Sequence, residues 1–288
     1  MNGRGTRSAG VDRSVMANGD QLPAGGQEGP SAREAENGAA VSSAVRRGAD
    51  VLIALTDQPD AGVSELSRRF GWSKSVTHRV LSTLADARLV AADPVSRRYR
   101  LGPAALRLGL VALARADVHR LAVPHLHALR DRTGETATLT LLSGEMRLYV
   151  DQVESRHPVR QSIQIGSSAP LYIGGSSKAM LAFLPVERQE RVLGSAVGAT
   201  RADGMPVDVP ALRAEIETIR DLGYAISQGE RIAGATSVAA PIFDGRGEVI
   251  GSMSVAGVTV RQDRAALETL GPVVRDEARA LSSELGWR

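Results

Sequence analysis

The chain has 288 residues, a formal net charge of +3 and no cysteine. The missing thiols exclude disulfides, thiolate catalysis and cysteine-ligated zinc, and no apolar run is long enough to span a bilayer. The length suits two domains, and the charge is unevenly spread: residues 41–107 hold eleven Lys/Arg against six Asp/Glu, whereas residues 118–288 hold nineteen against twenty.

Residues 1–40 are rich in Gly, Ala, Ser, Asn and Glu and almost lack large apolar side chains. Such a segment has too little to bury and is expected to be a disordered tail. Its arginines are not followed by an apolar stretch, so it does not read as a secretory signal, and a cytoplasmic protein is expected. A helix is expected over 42–57, with Val45, Ala49, Leu52 and either Leu55 or Thr56 on one face. Pro59-Asp60-Ala61-Gly62 is the turn out of it.

The stretch 63–100, VSELSRRFGWSKSVTHRVLSTLADARLVAADPVSRRYR, is the most informative. Val63, Leu66 and Phe70 make one apolar helix face. Gly71 suits a left-handed helix end. Ser73 is placed to cap a second helix. In that helix Val80, Leu81 and Leu84 face inward, and either Val76 or Thr77 completes the stripe. Lys74, Ser75, His78 and Arg79 remain on the outer, N-terminal part, where side chains reach phosphates and base edges. Asp93-Pro94-Val95-Ser96 is a turn signal, and Arg97, Arg98 and Arg100 follow it. Helix, glycine turn, capped basic helix and arginine-bearing hairpin are the parts of a winged helix-turn-helix, expected over 41–102. Ser73, Lys74, Ser75, His78, Arg79 and Arg97 are the expected contacts to duplex DNA.

Gly102-Pro103 opens a linker helix over 103–117, with Leu106, Leu110 and Leu113 at helical spacing. It is expected to join the domains and to take part in pairing with a second copy. From Val118 the pattern changes. A helix over 118–132 is followed by three β-rich runs, Thr136–Leu142, Met146–Val153 and Val159–Ile165. Ser143-Gly144-Glu145 turns between the first two. Ser176–Leu184 and Val209–Leu222 read as helices. Two strands, Ser237–Phe243 and Glu248–Val255, flank Asp244-Gly245-Arg246-Gly247. A last helix carries Leu267, Leu270, Val274, Leu281 and Leu285. Residues 118–288 are therefore expected to form an α+β domain with an antiparallel sheet.

Gly174-Gly175-Ser176-Ser177 precedes an apolar helix, and a glycine-rich turn there exposes backbone N–H groups that suit a carboxylate. Hydroxyls of Ser176, Ser227 and Ser237 can complete a donor set. The plain alternative is a tight turn with helix-capping serines. Catalysis finds little support. Gly174–Lys178 lacks the P-loop spacing, and Gly175 stands where a Ser-x-x-Lys motif needs its serine. His125 and His127 lie two apart on a helix and face different ways. His157 has no evident nucleophile beside it. No enzyme activity, metal or cofactor is expected.

Several motifs in order make the chain resemble the IclR family of bacterial transcriptional regulators from about residue 42 to the C-terminus. They are VSELSRRFGWSKSVTHRVLSTL, RRYRLGP, GETATLTLL, LYVDQVES, IGSSAPLYIGGSSKAMLAFLP, GYAISQGE and VAAPIFDGRGEVIGSMSVAG. The resemblance implies a winged helix-turn-helix, a linker helix and a GAF-like effector-binding domain. It implies a homodimer or a dimer of dimers that controls the catabolism of small organic acids or aromatic compounds. It places the ligand-contacting pair on Gly175 and Ser176. Ser227 stands where the family often has an acidic residue, Ser237 where it often has cysteine, and Ser177 where it commonly has glycine. An effector-responsive regulator sensing a small carboxylate is the resulting expectation. The alternative is a regulator that binds DNA constitutively, without an effector.

Overall fold

The computed structural model describes the backbone of residues 32–114 and 117–288, and side chains over 43–112 and 117–288. The N-terminal part consists of helices α1 (Ala32–Asp57), α2 (Val63–Phe70) and α3 (Lys74–Asp86) and a two-stranded antiparallel wing, β1 (Val90–Ala92) and β2 (Tyr99–Leu101). A small core holds it together, built on Val51, Ala54, Leu55, Leu66, Leu81, Leu84 and Val90. Helix α4 (Pro103–Ala114) follows.

In the C-terminal part the order is α5 (Asp117–Thr133), β3 (Thr136–Ser143), β4 (Met146–Val153), β5 (Ser168–Pro170), α6 (Gly175–Leu181), α7 (Val186–Ala196), α8 (Val209–Leu222), β6 (Ala225–Gln228), β7 (Ala235–Phe243), β8 (Val249–Val258) and α9 (Arg264–Glu284). The six strands form one sheet in the order β5-β4-β3-β8-β7-β6, with every neighbouring pair antiparallel. Helices α5 and α9 cover one face through Leu126, Leu129, Leu267, Val274 and Leu281. Helices α6, α7 and α8 pack on the other side around Met180, Leu181, Leu193, Ile216 and Ile219. Coverage of both faces explains why β7 and β8 are apolar and small rather than alternating with charges. The expected α+β class, with a helix-turn-helix ahead of an antiparallel-sheet domain, is what the chain adopts. Among the described residues no helix is long and apolar enough to cross a membrane.

Several expectations need correction. Helix α1 starts at Ala32, so residues 32–40 of the expected tail are helical, in keeping with their Ala, Arg and Glu content; residues 1–31 of that tail lie outside the described residues. Helix α1 turns Val51, Ala54 and Leu55 inward, while Val45 and Ala49 face solvent. Val159–Ile165 is not a strand. The Gln152 side chain donates to Ile163 O and accepts from Ile163 N, both at 2.9 Å, and so does the work of a neighbouring strand. The strand pairing with β4 is β5 instead. The helix expected to reach Leu184 ends at Leu181. Helix α7, entered through Pro185, and strand β6 had not been expected.

Candidate functional site

Two places bring the expected site residues together. The first is α3. Its partner α2 is closed at the start by Glu65, whose carboxylate accepts from Gly62 N–H at 3.1 Å. It stops at Gly71, whose φ of 67° is left-handed and suits glycine. Ser73 then caps α3, its hydroxyl accepting from Val76 N–H at 3.3 Å. Periodicity left Val76 and Thr77 open; Thr77 is the buried one. Ser67 Oγ donates to Thr77 Oγ1 at 2.9 Å, and Thr77 Oγ1 donates to the Ser73 carbonyl at 3.1 Å. This relay fixes α3 against α2 where it leaves the turn. Lys74, Ser75, His78 and Arg79 are all exposed on the opposite side.

The wing turns on Asp93, whose Oδ1 accepts from Val95 N–H and from the N–H and hydroxyl of Ser96. These bonds, the Ser96 N–H first, hold the Asp93 carboxyl below its ordinary pKa. Arg97 follows at the tip with a left-handed φ of 56° and is exposed. Arg98 has a different task. Its guanidinium donates to both carboxylate oxygens of Glu65, at 3.0 and 2.9 Å, and to Asp60 O at 2.6 Å, tying the wing to α2. Arg69 is likewise paired with Asp57. Lys74, Arg79 and Arg97 form no ion pair among the described residues and so present free positive charge.

The second place is a small recess of about 50 Å³ between β4, the segment carrying Gln161 and Ile163, the turn at Gly174, and the β6–β7 pair. Ser227 on β6 and Ser237 on β7 are register partners, so their hydroxyls stand side by side. Ser176 opens on the same space, as do Ser254 and Ala256 of β8. Gly175 closes the wall behind Ser237. A Cβ there would lie 2.7 Å from Ser237 Oγ, so a larger residue would displace the serine. All four expected pocket residues thus meet in one place. The hydroxyls of Ser176, Ser227 and Ser237 donate to no protein acceptor among the described residues.

Three residues of the recess, Arg147, Glu230 and Arg231, and Lys178 beside it had not been anticipated. Glu230 accepts from Gly174 N–H at 2.8 Å and from Lys178 Nζ at 2.6 Å. The first amide of the glycine turn is therefore occupied by the chain's own carboxylate. Lys178 is buried and also donates to Glu215 at 2.6 Å. Arg147 and Arg231 flank Tyr149, their guanidinium carbons 4.9 and 5.3 Å from the ring centre. Arg147 was visible as the one charge at an inward position of MRLYV in β4. Outside the recess, His125 bonds Glu277 at 2.7 Å and Glu284 at 3.2 Å and so joins α5 to α9.

Known proteins resemble both parts of the chain. The family model described as "Bacterial transcriptional regulator IclR C-terminal" matches residues 110–283, and that of the IclR helix-turn-helix domain matches residues 44–94. The HTH-type transcriptional regulator BhcR of Paracoccus denitrificans is 32% identical over 256 residues, which are 88% of this chain and 92% of that protein. The HTH-type transcriptional repressor AllR of Escherichia coli is 28% identical over 264 residues, 91% of this chain and 96% of its own. The crystal structure of an IclR transcriptional regulator from Alicyclobacillus acidocaldarius superposes with a TM-score of 0.74 at 28% identity, covering 85% of this chain and 99% of that one.

Proposed function

This chain belongs to the IclR family of bacterial transcriptional regulators, and on that premise we propose that it binds a specific operator in duplex DNA and changes its grip when a small organic acid enters the recess. The observation that carries the DNA half is the Ser67–Thr77–Ser73 relay, which pins α3 with Lys74, Ser75, His78 and Arg79 outward. A helix held rigidly with its N-terminal half bare is what major-groove reading requires. Ser73 caps that helix beside the DNA, and Arg97 touches the backbone from the wing.

The effector half rests on the recess. Ser176, Ser227 and Ser237 offer hydroxyls to a ligand's oxygens, and Gly175 lets the ligand approach the backbone. A protein that bound DNA alone would have no use for unpartnered hydroxyls converging on a concave site.

The protein acts as a homodimer or a dimer of dimers. Leu106, Leu108, Leu110 and Val111 of α4 are all more than half exposed, an apolar surface that a lone chain would leave in water. A two-fold pair also reads two half-sites, which one winged helix cannot do. The proposal is tested by selecting operator sequences from genomic DNA with the full-length protein. One enriched near-palindrome supports it, and uniform recovery of unrelated fragments contradicts it.

A further inference from the structure

Arg147 is 2% exposed, and its Nε has no hydrogen-bond partner among the described residues. Its two terminal nitrogens lie beside Gly174, each 3.3 Å from where a Cβ on that residue would be. A buried guanidinium without a counter-charge is costly, and proteins keep one where something arrives to pair with it. The nearest carboxylate in the recess, Glu230, is already committed to Lys178 and Gly174 N–H. The recess itself is lined by two cations, Arg147 and Arg231, and one anion, Glu230, so one positive charge is left over. Burial depresses the Arg147 pKa and leaves the group cationic at neutral pH, since arginine starts so high.

We propose that Arg147 is the anion seat of the recess and selects a short hydroxy or oxo carboxylic acid. The carboxylate lies on the Arg147 guanidinium, and the second oxygen meets the hydroxyls of Ser176, Ser227 and Ser237. The geometry sets the size. Arg147, Ser176, Ser227 and Ser237 line one recess of only about 50 Å³. Anion and second oxygen are therefore separated by only a few bonds. The planar fork of arginine suits a carboxylate's two oxygens. The seat lies on β4, where the unpaired charge is, while Glu230 takes the Gly174 amide of the glycine turn. The assignment rests on the effector-responsive reading above, and its test separates the two.

The test uses full-length protein, thermal shift and calorimetry at constant ionic strength, with lactate, pyruvate, propionate, benzoate and the uncharged lactamide. Lactate or pyruvate should raise the melting temperature, propionate and benzoate less, and lactamide not at all. Arg147→Met should melt no lower than wild type without ligand, because it removes an unpaired buried charge, and should lose the response to acids. Arg147→Lys keeps the charge without the fork and should bind at least tenfold more weakly, so it carries the test if the Met variant folds poorly. Ser237→Ala should stop distinguishing lactate from propionate. Wild-type acid affinity in either Arg147 variant overturns the seat, as does the absence of any response in wild type at millimolar acid. If operator affinity responds to an acid that Arg147→Met still binds, the seat fails and the regulator reading stands. If the acids bind through Arg147 and operator affinity never changes, the seat stands and the effector-responsive reading fails.

Discussion

Gln164 reaches from the segment lining the recess to the scaffold helix of the DNA-binding part: its Nε2 donates to the Thr56 carbonyl in the last turn of α1 at 3.1 Å. The neighbouring Ile163 lines the recess and is gripped through its backbone by Gln152 of β4. Recess wall and scaffold helix are thus joined within a few residues. Coupling between sites needs such an element with two settings.

Gln164→Ala should leave ligand affinity and ligand-free operator affinity nearly unchanged and shrink the effect of one on the other. A single exposed hydrogen bond contributes about 0.5–1.5 kcal/mol, so the ligand-induced change in operator affinity should fall severalfold. Operator titrations with and without ligand, for wild type and variant, read this directly. An undiminished response would place the coupling elsewhere.

The Ser67–Thr77 pair predicts a mutant cycle. Thr77→Val alone strands the buried Ser67 hydroxyl and should cost about 1–3 kcal/mol, whereas Ser67→Ala leaves Thr77 its bond to the Ser73 carbonyl and should cost less. The double variant should cost less than the two singles together, since the Ser67 hydroxyl that Thr77→Val strands is then gone. Denaturant melts monitored by fluorescence measure all four proteins, and strict additivity would show that the two hydroxyls act separately.

For DNA, Arg79→Ala should weaken operator binding by about 1–3 kcal/mol and relax sequence preference. Arg97→Ala should weaken every sequence alike and lower the salt slope by about one. Titrations at several salt concentrations distinguish the two effects. Full operator affinity in both variants would remove α3 and the wing from the interface.

Arg98 and Glu65 predict a pH dependence. The Arg98 guanidinium, and after it the Gly62 N–H, hold the Glu65 carboxyl below its ordinary 4.5. A depressed carboxylate pKa means stabilisation that is complete above the unfolded value and is lost as pH falls through the folded one. Arg98→Ala should therefore melt lower than wild type at neutral pH, with the gap closing as pH drops below 4.5. A gap that widens in acid would reverse the sign and refute the pairing.

Much of this was legible in the sequence, and the failures have physical causes. The helix-turn-helix was readable because its signals are local: Gly71, the Ser73 cap and the period of Leu66, Leu81 and Leu84. The face of α1 was not, because two apolar stripes overlap there and packing against α2 and α3 decides between them. The alternation in Val159–Ile165 was real, but the Gln152 side chain satisfies the backbone that a strand would have paired. The pocket serines were found from motifs, whereas Arg147 and Glu230 become meaningful only once β4, the glycine turn and the end of β6 meet. The Arg147 signal, a charge within an apolar strand, was present but had no partner in sequence to give it a role.

The surface of α4 predicts the oligomer. Leu106→Glu combined with Leu110→Glu should convert a dimer or tetramer to a monomer in light scattering and cost operator affinity with it. A wild-type monomer at micromolar concentration, with or without DNA, would contradict the pairing.

The central claim, one chain that reads DNA through α3 and a small acid through the recess, is tested most directly by titrating the selected operator with full-length protein at fixed salt, with and without saturating lactate or pyruvate. Operator affinity should shift by about 5–150-fold, matched by an equal shift in acid affinity when operator is added. Identical operator affinity in the presence and absence of every acid that binds would contradict it.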